Sequence, residues 1–208
     1  MLQIIPALLV AITVVIQCLA VQMSRYRLSR MNARPPHHGL ALMSGMLAAA
    51  AIILRLYQND SAVGVLFMTI MTGCMTLMTL TEAASCRLPR PFTIMYLISG
   101  SAFRLWQGDW LTGLCSAGFW FLLLLLFRQY TSYRRKTETI GLGDVFLIAG
   151  IAIWSPPGDI PWIVATAAGG ALLYLWCNRQ RRITRELPFG PFLCASQYAF
   201  TFYPGGLW

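Results

Sequence analysis

The most constraining feature of the sequence is a series of long apolar blocks separated by short stretches that are mostly rich in arginine. Hydrophobic residues make up 57% of the 208 residues and charged residues only 11%, whereas about 25% charged residues is typical of soluble domains. A transmembrane helix needs about 20 mostly apolar residues, and the blocks lack the alternation of barrel strands. We therefore predict an all-α, polytopic membrane helix bundle of about eight spans, folded as a single domain over residues 1–208. The blocks are Leu2–Val21, Leu40–Tyr57, Ala62–Thr81, Phe92–Trp106, Trp110–Phe127, Ile140–Trp154, Trp162–Cys177 and Phe189–Phe202.

Basic residues are confined almost entirely to alternate connections between the blocks. Fourteen of the 16 follow the first, third, fifth and seventh blocks, and the other connections carry Asp60, Asp109 and Asp159 instead. Positive charge accumulates on the cytoplasmic side of membrane proteins, so we predict that the lipid bilayer surrounds the chain and that both termini lie outside the cytoplasm. This distribution also accounts for the net charge of +9, and we do not expect nucleic acid as a partner.

The six cysteines form no CxxC pair, and most lie inside or beside the apolar blocks. We interpret them as small buried apolar residues and not as zinc ligands or disulfide partners. His37 and His38 lie together in a basic connection, where we interpret them as loop residues. The sequence therefore predicts no metal site and no cofactor.

Two of the seven acidic residues lie at the edge of an apolar block. Glu82 follows the third block directly and Asp144 lies near the start of the sixth, so the predicted topology places both at the cytoplasmic ends of their spans. Ionisable groups at membrane depth are costly and often functional. Two facing carboxyls can share a proton, so that one activates water while the other donates to a scissile carbonyl group. The alternative is that each acid pairs at the interface with a nearby arginine such as Arg87.

Asp144 ends a GxGD motif in which Gly141 and Gly143 allow backbone to approach closely. Further motifs accompany it in a fixed order. Glu138 lies six residues before Asp144, a Leu-Pro pair at 88–89 lies between Glu82 and a threonine, and residues 187–192 read LPFGPF. Over roughly residues 60 to 205 these motifs resemble those of the type IV prepilin peptidases, a family of GxGD membrane aspartyl proteases.

The resemblance implies a hydrolase of the bacterial inner membrane with periplasmic termini. Its partners would be pilin-like precursors of the type IV pilus, from which it removes a short basic leader, after a glycine, at the cytoplasmic face. Glu82 and Asp144 would be the catalytic residues. We expect Glu138 and Glu186 to contact the leader. The methionine face of the third block, which includes Met78, either packs against neighbouring helices or receives the apolar helix of the substrate.

Two departures from the family pattern are visible in the sequence. The first catalytic position carries a glutamate, Glu82, where the family has an aspartate. Many members also have a large cytoplasmic loop with two CxxC pairs and methylate the new N-terminus with S-adenosylmethionine. This chain has only a short basic stretch there, residues 25–38, which argues against zinc and leaves methylation open.

Two alternatives belong to other functional classes. A pilus-assembly membrane protein could have lost activity when the aspartate was replaced by glutamate, and then neutralising Asp144 would change nothing. A proton-coupled transporter could use the boundary carboxyls as proton sites. It would need polar or Gly/Pro-interrupted segments near the middle of the bilayer, whereas the block centres are mostly apolar.

Overall fold

The computed structural model describes residues 4–31, 38–57, 61–86, 88, 90–135, 141–177 and 187–202. Within these ranges the backbone forms eight α-helices, as expected for apolar segments that must satisfy their own backbone hydrogen bonds. The helices are α1 (Ile4–Arg30), α2 (His38–Tyr57), α3 (Ala62–Ser85), α4 (Arg90–Gln107), α5 (Trp110–Arg135), α6 (Leu142–Trp154), α7 (Ile160–Cys177) and α8 (Gly190–Thr201).

Four of the described helices, α1, α3, α5 and α7, are long and apolar enough to cross a membrane. The apolar stretches of α2 and α6 are shorter, α4 carries an arginine near each end, and α8 has 12 residues. The prediction of an all-α membrane bundle is confirmed, and by length and composition four of the described helices qualify as spans, fewer than the eight predicted. The other four described helices do not meet this criterion because their apolar stretches are shorter or because charged residues lie near their ends.

The first and third helices run parallel to each other. The hydroxyl groups of Thr13 and Thr69 lie 3.1 Å apart, and the side-chain amide of Gln17 donates to the hydroxyl of Thr72 at 3.2 Å. Residues further along α1 therefore contact residues further along α3, as in a parallel pair of helices. Two parallel helices that are neighbours in the bundle need a connection that returns the full length of the helix.

Helix α2 provides that return. At its first residue, His38 accepts a hydrogen bond of 3.2 Å from Arg25, near the end of α1. Toward its other end, Ile52 belongs to a small apolar cluster with Leu9, near the start of α1. Helix α2 is therefore antiparallel to both α1 and α3 and runs beside them for most of their length.

Helices α4 and α6 form a second parallel pair. The indole N–H of Trp154 donates to the backbone carbonyl of Tyr96 at 3.1 Å. About two turns further along α4, the guanidinium group of Arg104 donates to the carbonyls of Ile153 at 2.7 Å and Ser155 at 2.9 Å. These bonds satisfy carbonyl groups at the C-terminal end of α6, which have no partner within their own helix.

The interior is built around α3, most of whose side chains are buried. Its four methionines repeat at intervals of three and four residues, so they share one face of the helix. All of them are at most 1% exposed and belong to the main core cluster, as packing residues. They are Met68, Met71, Met75 and Met78.

Candidate active site

Glu82 lies in the last turn of α3, where the chain leaves the helix. Cys86 ends the helix in the left-handed conformation, with φ 51° and ψ 26°, and its N–H donates to the Glu82 carbonyl at 2.7 Å. The side chain of Glu82 points inward and the residue is only 5% exposed. Its environment is therefore determined by neighbouring helices and not by solvent.

The N-terminus of α8 meets the Glu82 carboxyl group directly. The backbone N–H of Gly190 donates to Glu82 Oε1 at 2.9 Å. Phe189, at the N-cap position of α8, makes no side-chain capping hydrogen bond. The carboxyl group of α3 thus takes the place of a capping side chain for α8, since the first N–H groups of a helix lack partners and favour an acceptor.

Gly190 leaves no space for any other residue at this position. A Cβ atom built there would overlap the carboxyl group of Glu82. Glu82 Oε2 is buried without a hydrogen-bond partner among the described residues. One carboxyl oxygen is therefore fixed by α8, and the other is available to hold a proton or a ligand.

Asp144 lies in the first turn of α6. Gly141 is extended, with φ −64° and ψ 135°, and its carbonyl accepts the N–H of Asp144 at 3.1 Å, which starts the helix. A Cβ at Gly141 would lie 3.2 Å from Asp144 Oδ2, so the glycine leaves room for the carboxyl group. Asp144 is partly exposed, in contrast to Glu82.

The two carboxyl groups belong to one site. Asp144 is close enough to Glu82 for the carboxyls to repel each other. The elements that carry them are also in contact, because a Cβ at Gly143 would lie 2.9 Å from Cβ of Leu88, just beyond the end of α3. Four predicted site residues, namely the two acids and the two glycines of the GxGD motif, are therefore brought together.

The other predicted site residues do not join this cluster in the described structure. Glu138 and Glu186, predicted to contact the leader, lie outside the described residues, as does Arg87, the alternative partner of Glu82. Met78 is 0% exposed and packed inside the core. It presents no surface to a substrate in this conformation, because neighbouring helices cover the methionine face.

Two residues of the site were not identified as such from the sequence. In the sequence, Gly190 stands out only as part of the LPFGPF motif, and Leu88 only as part of a Leu-Pro pair. The sequence contains a signal for each residue, because the Leu-Pro pair follows Glu82 closely and the LPFGPF motif opens a helix. Among the described residues no group of three or more His, Cys, Asp and Glu side chains could hold a metal ion.

The geometry fits a family that can be recognised from sequence comparison. The sequence profile of the type IV leader peptidase family matches residues 69–176, just over half of the chain. The chain belongs to the type IV leader peptidase family. The family expected from the motifs is confirmed, and the matched region contains both Glu82 and Asp144.

Two relatives of known name support the same family assignment. Each is 32% identical to this chain in an alignment 175 residues long, which covers 79% of the chain and 53% of the relative. Both are named prepilin leader peptidase/N-methyltransferase, from Burkholderia pseudomallei strains 1026b and K96243. The chain thus spans about half the length of these members of the type IV leader peptidase family. No solved structure matches the chain.

Proposed function

We propose that this protein is an aspartyl-type endopeptidase that removes the leader of pilin-like precursors. The observation that carries the proposal is the pairing of Glu82 with Asp144 where three helix ends meet, in a chain of the type IV leader peptidase family. The names of the two relatives include the same activity. An inactive assembly protein and a proton-coupled transporter are less well supported, because the family profile and both relatives carry the name of a leader peptidase.

The different exposure of the two acids suggests their roles. Asp144, which is partly exposed, holds the attacking water, and Glu82, which is buried, faces the scissile carbonyl. Two carboxyl groups that repel each other favour a state in which only one of them is ionised, so we assign one proton to the pair. Asp144 accepts a proton from water while the water oxygen bonds to the carbonyl carbon, and Glu82 donates its proton to the carbonyl oxygen. Asp144 then protonates the leaving nitrogen, the C–N bond breaks, and the proton on the oxygen returns to Glu82.

The glutamate at position 82 is compatible with this chemistry. Gly190 N–H binds Oε1 and holds the longer side chain in one orientation, which offsets the extra rotatable bond of glutamate. The remaining oxygen, Oε2, has no hydrogen-bond partner among the described residues. Oε2 is therefore the oxygen that we assign to proton donation.

The substrate is proposed to be a precursor with a short basic leader joined to an apolar helix. The leader would lie at the cytoplasmic face, where Glu138 and Glu186 are candidate contacts for its positive charges. The apolar helix would remain in the bilayer, with the scissile bond at the level of Glu82 and Asp144.

The orientation in the inner membrane follows from the charge distribution. The ends of α3 and the starts of α6 and α8 meet at the site, and we place that side in the cytoplasm because basic residues flank it. Both termini would then be periplasmic. Cysteine labelling with an impermeant reagent in intact cells tests this: position 109 should react and position 182 should not. Reaction at 182 but not at 109 would reverse the assignment.

The function is tested by co-expressing candidate precursors and following the size shift that leader removal causes. Asp144→Asn and Glu82→Gln should each abolish processing, because an amide of nearly the same shape can neither accept nor donate the required proton. Glu82→Asp should retain part of the activity. Asp159→Asn, on the opposite side of the bundle, is the matched control and should process normally. Near-normal processing by Asp144→Asn, with wild-type amounts of folded protein, would exclude the carboxyl mechanism.

A further inference from the structure

A hydrogen bond between two polar side chains lies in the interior of the bundle, away from the candidate active site. The hydroxyl group of Tyr96 on α4 donates to Oε1 of Gln197 on α8 at 2.6 Å. Both residues are 0% exposed. Burying polar groups in an apolar interior is unfavourable unless they are paired, so this pair needs an explanation beyond packing.

Tyr96 also makes contact with α6. Its backbone carbonyl accepts the indole N–H of Trp154 at 3.1 Å, and the two aromatic rings lie 5.9 Å apart between centroids. Its ring fills the space beside Gly150, where a Cβ atom would lie 2.6 Å from a ring carbon. A single residue of α4 is therefore joined to both α6 and α8.

These two helices are the ones that build the site with α3. Helix α6 has 13 residues and carries Asp144 in its first turn, and α8 has 12 residues and begins with Gly190. Gln197 is seven residues from Gly190, or about 10 Å along the helix axis at 1.5 Å per residue. A short helix moves as a rigid unit, so an axial shift at Gln197 becomes an equal shift at the N–H that binds Glu82.

We propose that Tyr96, through its hydrogen bond to Gln197, is a positioning residue that sets the axial position of α8 relative to α3 and thereby holds the Glu82 carboxyl in its catalytic orientation. The proposal rests on the proposed peptidase function of Glu82 and Asp144. Apolar side chains alone would define this position weakly, because their contacts are not directional. A buried hydrogen bond restricts the axial position of α8 to a narrow range, because a shift of the helix leaves a donor and an acceptor unpaired.

A second contact along α8 supports a single defined register. The hydroxyl group of Tyr198 donates to the backbone carbonyl of Thr72 at 3.2 Å. Nearer the site, Cys194 lies beside Thr79, and both residues line the same cavity. Contacts at positions 190, 194 and 198 thus follow α3 from Glu82 back toward its middle, as expected for two antiparallel helices in one register.

The test uses variants that remove the hydrogen bond with little change in shape. Tyr96→Phe and Gln197→Leu are made singly and together, and precursor cleavage and thermal unfolding are measured in detergent. Replacing both partners with apolar groups can restore stability that a single replacement loses. We expect kcat to fall about tenfold or more in all three variants, as for a small misplacement of a catalytic group, with KM little changed.

The matched control is Gln17→Leu. Gln17 is also a buried glutamine, at 8% exposure, and it joins α1 to α3 through Thr72 without touching α8. This variant should lose stability without a comparable loss of kcat. Recovery of both stability and kcat in the Tyr96→Phe, Gln197→Leu double variant would overturn the proposal, because the bond would then act only through stability.

A crosslink reports the register without any activity measurement. In a Thr79→Cys chain, oxidation should join position 79 to Cys194, and mass spectrometry of the digested protein detects the product. We expect crosslinking to slow severalfold when Tyr96→Phe and Gln197→Leu are added, and not with Gln17→Leu. An unchanged crosslinking rate would overturn the positioning role. Slower crosslinking in a protein whose wild type cleaves no precursor would support the positioning role and reject the proposed function.

Discussion

Gly190→Ala places a methyl group where the Glu82 carboxyl group lies. The Cβ atom built on the backbone at this position overlaps that carboxyl group. Either the Glu82 side chain must adopt another rotamer or α8 must move away from α3. In both cases the hydrogen bond of 2.9 Å from the Gly190 N–H to Glu82 Oε1 is lost.

The size of the effect follows from that hydrogen bond. A hydrogen bond to an ionised group contributes about 1.5–3 kcal/mol. If this stabilisation is lost from the transition state, the rate of cleavage falls roughly 10- to 150-fold, since about 1.36 kcal/mol corresponds to a tenfold change. Helix propensity adds little in the opposite direction, because Gly190 is the first residue of α8 and the preference for alanine over glycine, about 1 kcal/mol, applies to a helix interior.

The two effects can be separated by removing the glutamate. In a Glu82→Ala background the methyl group of Gly190→Ala meets no carboxyl group, so thermal unfolding should show unchanged or slightly increased stability. In the wild-type background the same substitution should lower stability and cleavage together. Gly169→Ala is the matched control, because a Cβ there has no atom within 4 Å. Normal precursor cleavage by Gly190→Ala would refute the assigned contact between α8 and Glu82.

Two further predictions concern the contacts that hold α6. Arg104→Met removes two hydrogen bonds to carbonyl groups at the end of α6 and should lower the free energy of unfolding by at least about 1.5 kcal/mol. The side chain of Asp109 is 52% exposed, so Asp109→Asn should change the free energy of unfolding by less than about 1 kcal/mol. Equal effects of the two substitutions would contradict this account. Gly143→Ala should cost about 1–3 kcal/mol through overpacking against Leu88. Leu88→Gly, which removes the Cβ atom that a Cβ at position 143 would meet at 2.9 Å, should relieve that cost in the double variant. An additive loss of stability would show that the two side chains do not collide.

The sequence by itself determined the fold class, the family and the two candidate catalytic carboxyls. Each depends on information that is local in the chain. Long apolar blocks with few charges require helices in a membrane, and a GxGD motif with its accompanying motifs is visible without any contact between distant residues. With only seven acidic residues in the chain, Glu82 and Asp144 could be selected by their positions at the block boundaries.

Tertiary structure alone decided what each of these residues touches. The partner of the Glu82 carboxyl is a backbone N–H that lies 108 residues away in the chain, and a backbone group carries no sequence signal of its own. The periodic methionines show a second limit of what the sequence alone determines. Spacing placed Met78 on one face of α3 but left open whether that face packs inside the bundle or receives the apolar helix of a substrate. In the structure, neighbouring helices cover that face. Periodicity defines which residues share a face of a helix, whereas contacts between segments distant in sequence determine whether that face is buried.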